Sequence, residues 1–473
     1  MGTYNLSVKN RNHPPTPHAM RPANGTERHA PPPMGPDGPV LDIAVIGSGI
    51  SGLSAAWLLG KRHQVTVFEA DGRPGGHSNT VELPGQGAVA VDTGFIVYNE
   101  PAYPNLSALF AHLGVETDPT DMSFAVSLDG GALEYAGTNL RSLFAQRRNL
   151  LSPRFWSMLR EVVRFYRQAP ADAGSVGLMP LDAYLDLHGY GRAFREDHLY
   201  PMAAAIWSTS PARIGEYPTE AFVRFCENHQ LLALGQRPAW RTVRGGSRRY
   251  VERLTKGLGR RLRLGSAAVQ VQAGAGGVLV HTADRPTPER FDQVVIATHA
   301  DQALRLLADA DAKERRLLGA FRYTRNHAVL HGDSSVMPLR RKLWSSWNYT
   351  GARGVEEAPR VSYWMNRLQQ LPGASALFLT LNPRDEPEQV FHTEVYEHPL
   401  FDAAAIRAQR ELWSLQGRRG VWFCGAYFGA GFHEDGLQAG LAVAEALGDV
   451  RRPWRVADES GRIHRHAALA RAS

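Results

Sequence analysis

One stretch of the chain limits its fold more than any other: an apolar strand that runs directly into a glycine-rich turn and then into a helix. Residues 43–59 read IAVIGSGISGLSAAWLL, with glycine at positions 47, 49 and 52. In such a unit Gly47 permits the tight turn, Gly49 lets a pyrophosphate approach the backbone, and Gly52 lets the helix pack on the strand. The free N–H groups at the helix start attract phosphate. The pattern predicts a Rossmann-like dinucleotide site, with a structural turn of chance spacing as the alternative.

Two features that follow bear on which dinucleotide binds. The next predicted strand, QVTVFEA, leads to Glu69, whose carboxylate suits a ribose hydroxyl pair and would repel a 2′-phosphate. Shortly afterwards GRPGGHSNT contains the doublet Gly75–Gly76. A chain that runs along the pyrophosphate and ribityl of FAD needs two residues without side chains at that point. The doublet therefore favours FAD over a plain NAD-binding unit, with an ordinary loop after Pro74 as the alternative, and the two glycine clusters together with Glu69 favour FAD over NADP.

Nucleotide-binding signals occur in three separated pieces, so the sequence predicts an α/β fold with a discontinuous, Rossmann-like FAD-binding domain and an inserted α+β substrate domain. Two Pro- or Arg-rich ends without hydrophobic periodicity are expected to be tails. The predicted boundaries are a disordered tail at 1–40, an FAD-binding domain at 41–105, 240–320 and 416–450, a substrate domain at 106–239 and 321–415, and a flexible tail at 451–473.

Composition narrows the function classes. The 473 residues carry a formal net charge of +7, and no apolar run is long enough to cross a bilayer. No nucleic-acid-binding motif accompanies the positive charge, so nucleic acid is not an expected partner. Two cysteines, Cys226 and Cys424, indicate neither a disulfide framework nor a metal site. A reducing cytoplasm is the expected location.

Several motifs together resemble the flavin amine oxidase and phytoene desaturase superfamily. They are the glycine fingerprint with Glu69, the RPGGH doublet, RGGS at 244–247 and the C-terminal GFHEDGLQAG, and the resemblance covers roughly residues 41–450. Within the superfamily, DTGFIVYNEPAYPNL, YPMAAAIWS and YEHPLF resemble a bacterial branch associated with cyclopropane-fatty-acid-synthase-like methyltransferases. That branch includes the flavoprotein desaturase of furan fatty acid synthesis, which acts on methylated acyl chains in phospholipids.

The resemblance implies specific cofactor contacts. The turn residues would wrap the pyrophosphate, and Glu69 would bind the adenosine ribose. The Gly75–Gly76 doublet would run alongside the diphosphate and the ribityl chain. Val269 would lie by the adenine, Phe432 would flank the flavin, and the start of the last helix would face the flavin pyrimidine edge. The implied FAD-binding residues are Gly47, Ser48, Gly49, Ile50, Ser51, Gly52, Glu69, Gly75, Gly76, His77, Ser78, Val269, Phe432, Glu434, Asp435, Gly436 and Leu437.

Two departures from the superfamily weaken an amine oxidase interpretation. Many relatives place an acid where this sequence has Ala426, in CGAYF. Amine oxidases usually carry a lysine in a substrate-domain strand beneath the flavin, whereas YTRNHAVLHG offers Asn326 and His327. Dehydrogenation also needs a proton acceptor near the flavin. The candidates for catalysis are His433, His327 and Tyr98, with helix capping or ordinary packing as the alternative for each histidine.

Three function classes remain open at this point. The first is an FAD-dependent desaturase of a lipid acyl chain, with a redox partner or dioxygen as electron acceptor; a double-bond isomerase is a close variant. The second is an FAD-dependent amine oxidase, which forms hydrogen peroxide. The third is a flavin-bound scaffold, which has no need of the complete set of cofactor motifs. Aromatic residues in the insertions, including Trp207, Trp344, Trp347, Tyr363 and Trp364, suit either a packed core or an apolar channel.

Residues 147–168, RRNLLSPRFWSMLREVVRFYRQ, suggest a contact with an anionic membrane surface, which would make the protein peripheral on the inner face of the membrane. Pro153 suits a helix start. Six arginines accompany one acid, Glu161. The alternative is a substrate-domain helix packed on its own core. The predicted apolar stripe comprises Phe155, Leu159, Val162 and Tyr166, joined by Trp156 and Val163, and the arginines are 147, 148, 154, 160, 164 and 167.

Overall fold

The strand that leads into Gly47 lies at the centre of a parallel sheet. The computed structural model describes residues 38–83, 89–207, 211–233, 238–274, 276–354, 360–371 and 374–465. The predicted tail at 1–40 therefore falls almost entirely outside the described residues, and the chain from Val40 onward forms one compact unit. Among the helices of the described ranges, none has the length and apolar character needed to cross a membrane.

The strands within the described residues are β1 (Asp42–Ile46), β2 (Gln64–Phe68), β3 (Thr80–Leu83), β4 (Val89–Asp92), β5 (Val97–Asn99), β6 (Thr117–Thr120), β7 (Phe124–Leu128), β8 (Leu133–Ala136), β9 (Trp240–Val243), β10 (Leu262–Arg263), β11 (Ala268–Gly274), β12 (Gly277–Thr282), β13 (Glu289–Phe291), β14 (Gln293–Ile296), β15 (Arg322–His331), β16 (Trp347–Gly351), β17 (Arg360–Trp364), β18 (Phe378–Leu381), β19 (Val390–Leu400) and β20 (Val421–Phe423).

The α-helices of the same ranges are α1 (Ile50–Leu59), α2 (Pro104–Leu113), α3 (Leu140–Leu143), α4 (Pro153–Val176), α5 (Leu181–Leu187), α6 (Arg192–Phe194), α7 (Tyr200–Trp207), α8 (Pro211–Gly215), α9 (Thr219–Asn228), α10 (Arg248–Thr255), α11 (Ala300–Leu306), α12 (Ala312–Leu318), α13 (Met365–Leu368), α14 (Ala403–Leu412) and α15 (His433–Gly448). A 3-10 turn, Arg147–Leu151, joins α3 to α4.

The central sheet has the strand order β10-β2-β1-β14-β20, and every neighbouring pair is parallel. Its strands come from distant parts of the chain, as a discontinuous Rossmann-like sheet requires. Apolar residues fill β1 and β14 because both faces of a covered parallel sheet are buried. The predicted α/β fold class is therefore confirmed.

The glycine turn after β1 has the geometry that its spacing predicted. Gly47 has a φ of +98°, a left-handed conformation that residues with a side chain rarely adopt. A Cβ on Gly52 would lie 2.0 Å from the carbonyl oxygen of Gly47, so only glycine lets α1 start this close to the turn. Local sterics thus set the angle at which α1 leaves the sheet.

A second sheet contributes residues to the same cavity as the carboxyl ends of the first. Its order is β19-β15-β18-β17-β16-β7-β8, with β7 and β16 parallel and the other neighbouring pairs antiparallel. The strands derive from 124–136 and 322–400, which both lie in the predicted substrate domain. The predicted domain boundaries themselves stay a prediction.

The segment predicted as a flexible C-terminal tail is packed as far as residue 465. Arg452 is buried and donates from Nε to Glu445 at 2.8 Å. The ring of Trp454 stacks on that of Trp57, with centroids 5.9 Å apart. Ile463 joins the main core. The prediction of flexibility is wrong for residues 451–465 because a few widely spaced anchors, without any helical or strand periodicity, hold this segment.

Candidate functional site

A cavity of about 1710 Å³ lies where the parallel strands of the central sheet end. Gly47 follows β1, Glu69 follows β2, Ala297 follows β14 and Gly425 comes shortly after β20, and all four line the cavity. The carboxyl edge of a parallel sheet is the usual place for a ligand in this kind of fold. Single-ligand pockets typically measure about 300–1,000 Å³, so this cavity has room for a dinucleotide and a second molecule.

The start of α1 presents unsatisfied donors to this cavity. Gly49 is the N-cap residue, makes no side-chain capping bond, and is followed by Ile50 and Ser51, which also line the cavity. The first turn of α1 contains no acid. An uncapped N-terminus with free N–H groups and a partial positive charge is a binding site for phosphate.

Gly49 gives a direct test of whether a ligand fits here. Its φ of −67° is available to any residue, and a Cβ at this position would meet no protein atom within 4 Å. Neither backbone strain nor protein packing therefore demands glycine at 49. A side chain there would instead occupy the cavity beside the helix N-terminus. The residues thus fit a dinucleotide whose pyrophosphate runs past Gly49.

Glu69 is held at the end of β2 by the glycine turn itself. Its Oε2 accepts from the backbone N of Ser48 at 2.9 Å and from the Ser48 hydroxyl, and its Oε1 accepts from the backbone N of Asp71 at 3.0 Å. The carboxylate lines the cavity next to the turn. This position matches the acid expected for a ribose hydroxyl pair.

His433 is fixed by contacts from three other parts of the chain. Its Nε2 lies 2.6 Å from the Tyr250 hydroxyl and 3.1 Å from the Ser78 hydroxyl, and its ring stacks on Phe95 with centroids 3.8 Å apart. Burial lowers the pKa of His433 to about 3. The imidazole is therefore neutral over the physiological pH range and forms a rigid part of the cavity wall.

A histidine and tyrosine cluster beside the turn contains the predicted cofactor residue His77 and four residues that were not assigned a role from the sequence. The ring centroid of His77 lies 4.9 Å from that of Tyr396 and 5.7 Å from that of His398, and His299 stacks on Tyr323 at 4.4 Å. All five residues line the cavity. Burial lowers the pKa of His398 to about 4 and that of His77 well below its usual value. The motif YEHPLF, which contains Tyr396 and His398, is the part of the sequence that could have indicated this cluster.

Away from the glycine turn, the cavity wall becomes apolar. We call this part the apolar section; it is formed by residues of β7, α4, α7, β16, β17 and β18 together with Leu143. Of the aromatic residues named from the sequence, Trp207, Trp347 and Tyr363 belong to it, whereas Trp344 and Trp364 pack on each other in a separate cluster. The apolar section comprises Phe124, Leu143, Met158, Leu159, Val162, Met202, Ala205, Ile206, Trp207, Trp347, Tyr363, Leu379 and Leu381.

The apolar stripe predicted on residues 147–168 is divided between two faces of α4. Leu159, Val162 and Tyr166 line the cavity, and Phe155 is buried behind them. Trp156 and Val163, which the prediction joined to the same stripe, are exposed. The four residues of the stripe proper therefore face the interior, and the two that were joined to it face solvent, because α4 lies between the cavity and solvent.

The structure brings together most of the predicted cofactor residues but separates some of them from the cavity. Gly52 packs on Gly47, and Gly75 donates from its backbone N to the Ser48 carbonyl. Ser78 lies behind His433. The predicted residues that line the cavity are Gly47, Ser48, Gly49, Ile50, Ser51, Glu69, Gly76, His77, Val269, Phe432 and His433.

The start of α15 is positioned differently from the prediction. Glu434, Asp435, Gly436 and Leu437 are all buried, and none of them lines the cavity. Glu434 instead accepts from the backbone N–H groups of Asn105 and Leu106 at the start of α2. Gly436 lies against Ser51 of α1. These residues hold α15 in place while Phe432 and His433, just before them, form the cavity wall.

Two of the predicted catalytic residues lie away from the cavity. His327 is exposed on β15, because side chains alternate along a strand and the neighbouring Asn326 and Ala328 take the buried face. Tyr98 is buried, but its hydroxyl donates to the Thr117 hydroxyl at 3.4 Å and does not line the cavity. The assignments of His327 and Tyr98 to catalysis are corrected on this geometry.

Comparison with known proteins agrees with this architecture. Residues 50–332, more than half of the chain, match the family described as flavin containing amine oxidoreductase. Over 74 residues the chain is 43% identical to protoporphyrinogen oxidase 2, chloroplastic/mitochondrial, of Arabidopsis thaliana. That match spans 15% of this chain and only 14% of the relative's length.

Solved structures with a similar fold include two enzymes of low sequence identity. Cyclohexylamine oxidase from Brevibacterium oxydans IH-35A has a TM-score of 0.60 and 18% identity, and the alignment covers 86% of this chain and 100% of that one. A CLA-producing fatty acid isomerase from P. acnes has a TM-score of 0.59 and 15% identity, with 88% and 99% coverage. At this identity the likeness establishes the fold.

Proposed function

Because the chain belongs to the flavin containing amine oxidoreductase family, it is an FAD-dependent oxidoreductase, and we propose that its substrate is a fatty acyl chain of a phospholipid, which it desaturates. The observation that carries the proposal is the continuity of the cavity from the glycine turn into the apolar section. A methylated acyl chain, as the sequence motifs suggest, is the expected form of the substrate. A fatty acid isomerase is among the proteins that share this fold.

The residues of this chain divide the work between cofactor and substrate. The N-terminus of α1 would hold the pyrophosphate of FAD, and Glu69 would accept hydrogen bonds from its ribose. Residues such as Trp347 and Leu379 hold the acyl chain and keep water away from it. FAD, when bound, supplies the capacity to accept a hydride. The substrate would also lose a proton, to a water molecule in the cavity, and the two electrons would leave to dioxygen or to a redox partner.

His433 is better suited to orientation than to proton removal. An efficient general base has a pKa near the working pH, and burial lowers that of His433 to about 3. Its Nε2 is already engaged by Tyr250 and Ser78. We therefore assign His433 the role of a positioning residue in the cavity wall.

The charges around the apolar section fit a neutral substrate better than a cationic amine. Asp121 lines the cavity beside Met122 and Phe124, but its carboxylate pairs with Arg367, Oδ2 to Nη2, at 2.5 Å. Glu397, which also lines the cavity, pairs with Arg325, whose Nε lies 3.9 Å from Oε1 of the carboxylate. A buried ammonium group needs a carboxylate of its own, and these two are engaged.

The test is to incubate the FAD-loaded protein with extracted bacterial phospholipids and to determine the acyl chains by mass spectrometry. Loss of two hydrogens per acyl chain, dependent on FAD, is the expected result. Conversion without a change of mass would identify an isomerase instead. Hydrogen peroxide production on added amines, with unchanged lipids, would identify an amine oxidase and contradict the proposal.

A further inference from the structure

The segment 140–167 has an exposed surface that the catalytic cavity does not use. It comprises α3, the 3-10 turn and the first half of α4. Its large apolar side chains are unusually open to solvent: Leu151 is 87% exposed, Leu140 74% and Trp156 50%. Leu150 and Val163 are exposed as well. We call these five residues the outer patch. Several large exposed apolar side chains within one short segment are typical of a contact surface.

The exposed charges of the segment that have no partner within the described residues are all positive. Arg147, Arg160 and Arg167 are exposed and have no acidic partner within the described part of the chain. Glu161, the one acid in the segment, is turned inward and accepts from the backbone N of Gly191 at 2.8 Å. The outward surface of the segment therefore presents arginine and apolar side chains without a compensating carboxylate of its own.

Three other arginines of the segment, Arg148, Arg154 and Arg164, have partners within the protein. Arg154 pairs with Asp197 at 2.8 Å and with Glu196 at 2.9 Å, and Arg148 donates to the carbonyl oxygen of Ala132. Arg164 stacks over the ring of Tyr190, 3.9 Å from its centroid. Of the six arginines predicted for a membrane contact, Arg147, Arg160 and Arg167 are the ones available to an external anion.

We infer that the outer patch docks on an anionic lipid bilayer. Leucine and tryptophan side chains enter the headgroup region, and arginine binds the lipid phosphates. The combination of exposed apolar groups with positive charge of one sign suits this partner better than an apolar protein surface, which would leave the arginines uncompensated. Trp156 is already oriented for such a contact, since its Nε1 donates to the Leu150 carbonyl at 2.9 Å and its ring packs on Phe144.

The same segment also forms part of the cavity wall. Leu143, Met158 and Leu159 line the apolar section, whereas Leu151 and Trp156 lie on the exposed surface. A bilayer at the outer patch would thus be separated from the cavity by the thickness of one helix. This link to the lipid substrate rests on the proposed function, but docking at the outer patch does not.

Sedimentation with vesicles tests the docking itself, without any turnover. Wild-type protein should pellet with phosphatidylglycerol-containing vesicles, pellet less as salt is raised, and remain in solution with phosphatidylcholine alone. The variant R147E/R160E/R167E should bind at least on the order of 100-fold more weakly, because loss of each basic side chain near such a surface costs roughly fivefold and the new carboxylates add repulsion. At high salt the contribution of the arginines is screened and the apolar contact of the wild type remains. Leu151→Ser should therefore bind more weakly than the wild type under this condition.

Matched controls separate this surface from general charge and hydrophobicity. R253E/K256E/R260E makes the same change of charge on another exposed segment, and Leu339→Ser removes another exposed leucine, 74% exposed. Both controls should bind vesicles as the wild type does, and flavin absorption verifies that each variant is folded. Equal binding by the outer-patch variants and their controls would overturn the inference, as would a wild-type dimer in light scattering that L151S dissociates.

A second measurement distinguishes failure of docking from failure of the proposed function. Desaturation is compared with substrate in vesicles and with the same lipid dispersed in detergent. The outer-patch variants should lose activity on vesicles and retain it in detergent. If no lipid is desaturated in either form, but the outer-patch variants bind vesicles more weakly than their controls, the proposed function is wrong and the docking surface stands.

Discussion

The imidazole Nε2 of His433 lies 2.6 Å from the hydroxyl of Tyr250, although the two residues are 183 positions apart in the chain. Tyr250 is fully buried on α10 and also contacts the Ser78 hydroxyl. This contact ties the start of α15 to α10 and holds one wall of the cavity in place. It connects three of the separated stretches from which the site is built.

Tyr250→Phe should destabilise the protein by about 1–3 kcal/mol, because it leaves the buried Nε2 of His433 with the Ser78 hydroxyl alone. Thermal unfolding of the FAD-loaded protein measures the effect, and the flavin absorption spectrum reports any change in the cavity wall. Tyr427→Phe is the matched control: this buried hydroxyl has no hydrogen-bond partner among the described residues. Its removal should leave stability unchanged or slightly higher, and equal losses in the two variants would contradict the assignment.

Gly49→Leu should abolish FAD binding without unfolding the protein. The new side chain meets no protein atom at its Cβ but enters the cavity beside the start of α1. Gly257→Leu is the control, since a Cβ there also meets no atom and Gly257 does not line the cavity. Flavin absorption after addition of FAD should be absent in the first variant and normal in the second. A yellow G49L protein would show that no pyrophosphate passes Gly49.

Ala205→Trp should obstruct the apolar section. Ala205 is buried on α7 and lines the cavity, so an indole there takes space assigned to the acyl chain. Overpacking of this kind costs about 1–3 kcal/mol, and unfolding measurements give the actual loss. With FAD still bound, kcat/KM should fall at least about 10-fold for long acyl chains, which corresponds to about 1.4 kcal/mol, and less for short ones. The same decrease at every chain length would place the substrate elsewhere.

Acid should destabilise the folded protein through His331, which lies outside the cavity. Its Nε2 contacts the Thr380 hydroxyl at 2.8 Å, and burial lowers its pKa to about 4. Below about pH 6.5 the unfolded chain takes up a proton that the folded protein does not accept until about pH 4. The free energy of unfolding should therefore decrease as the pH is lowered from about 6.5 to about 4. This residue contributes up to about 1.4 kcal/mol per pH unit to the decrease.

Urea unfolding of wild type and His331→Gln between pH 4 and pH 6.5 measures this contribution, because the other titrating groups cancel in the comparison. The wild-type curve should be the steeper of the two. Parallel curves would mean that His331 is protonated in the folded protein as readily as in the unfolded chain.

The sequence by itself determined the conformation of the glycine turn and the parallel, discontinuous character of the sheet that contains it. The strand, the turn and α1 are contiguous, and the conformations of Gly47 and Gly52 follow from sterics within a few residues. The separated nucleotide-binding pieces also indicated a discontinuous sheet, which the parallel pairing of β1 with β14 and of β14 with β20 confirms. These features depend on short-range geometry, which a sequence carries directly.

Tertiary structure alone decided which side chains share the cavity. Strand alternation indicates that Asn326 and His327 face opposite ways, but the packing of β15 against the rest of the fold determined that Asn326 is the buried one. Helical spacing predicted an apolar stripe on α4, and only the neighbouring sheet made Leu159 and Val162 a cavity wall and left Trp156 in solvent. A contact such as that between His433 and Tyr250 has no local signal, because its free energy arises only when distant segments are brought together.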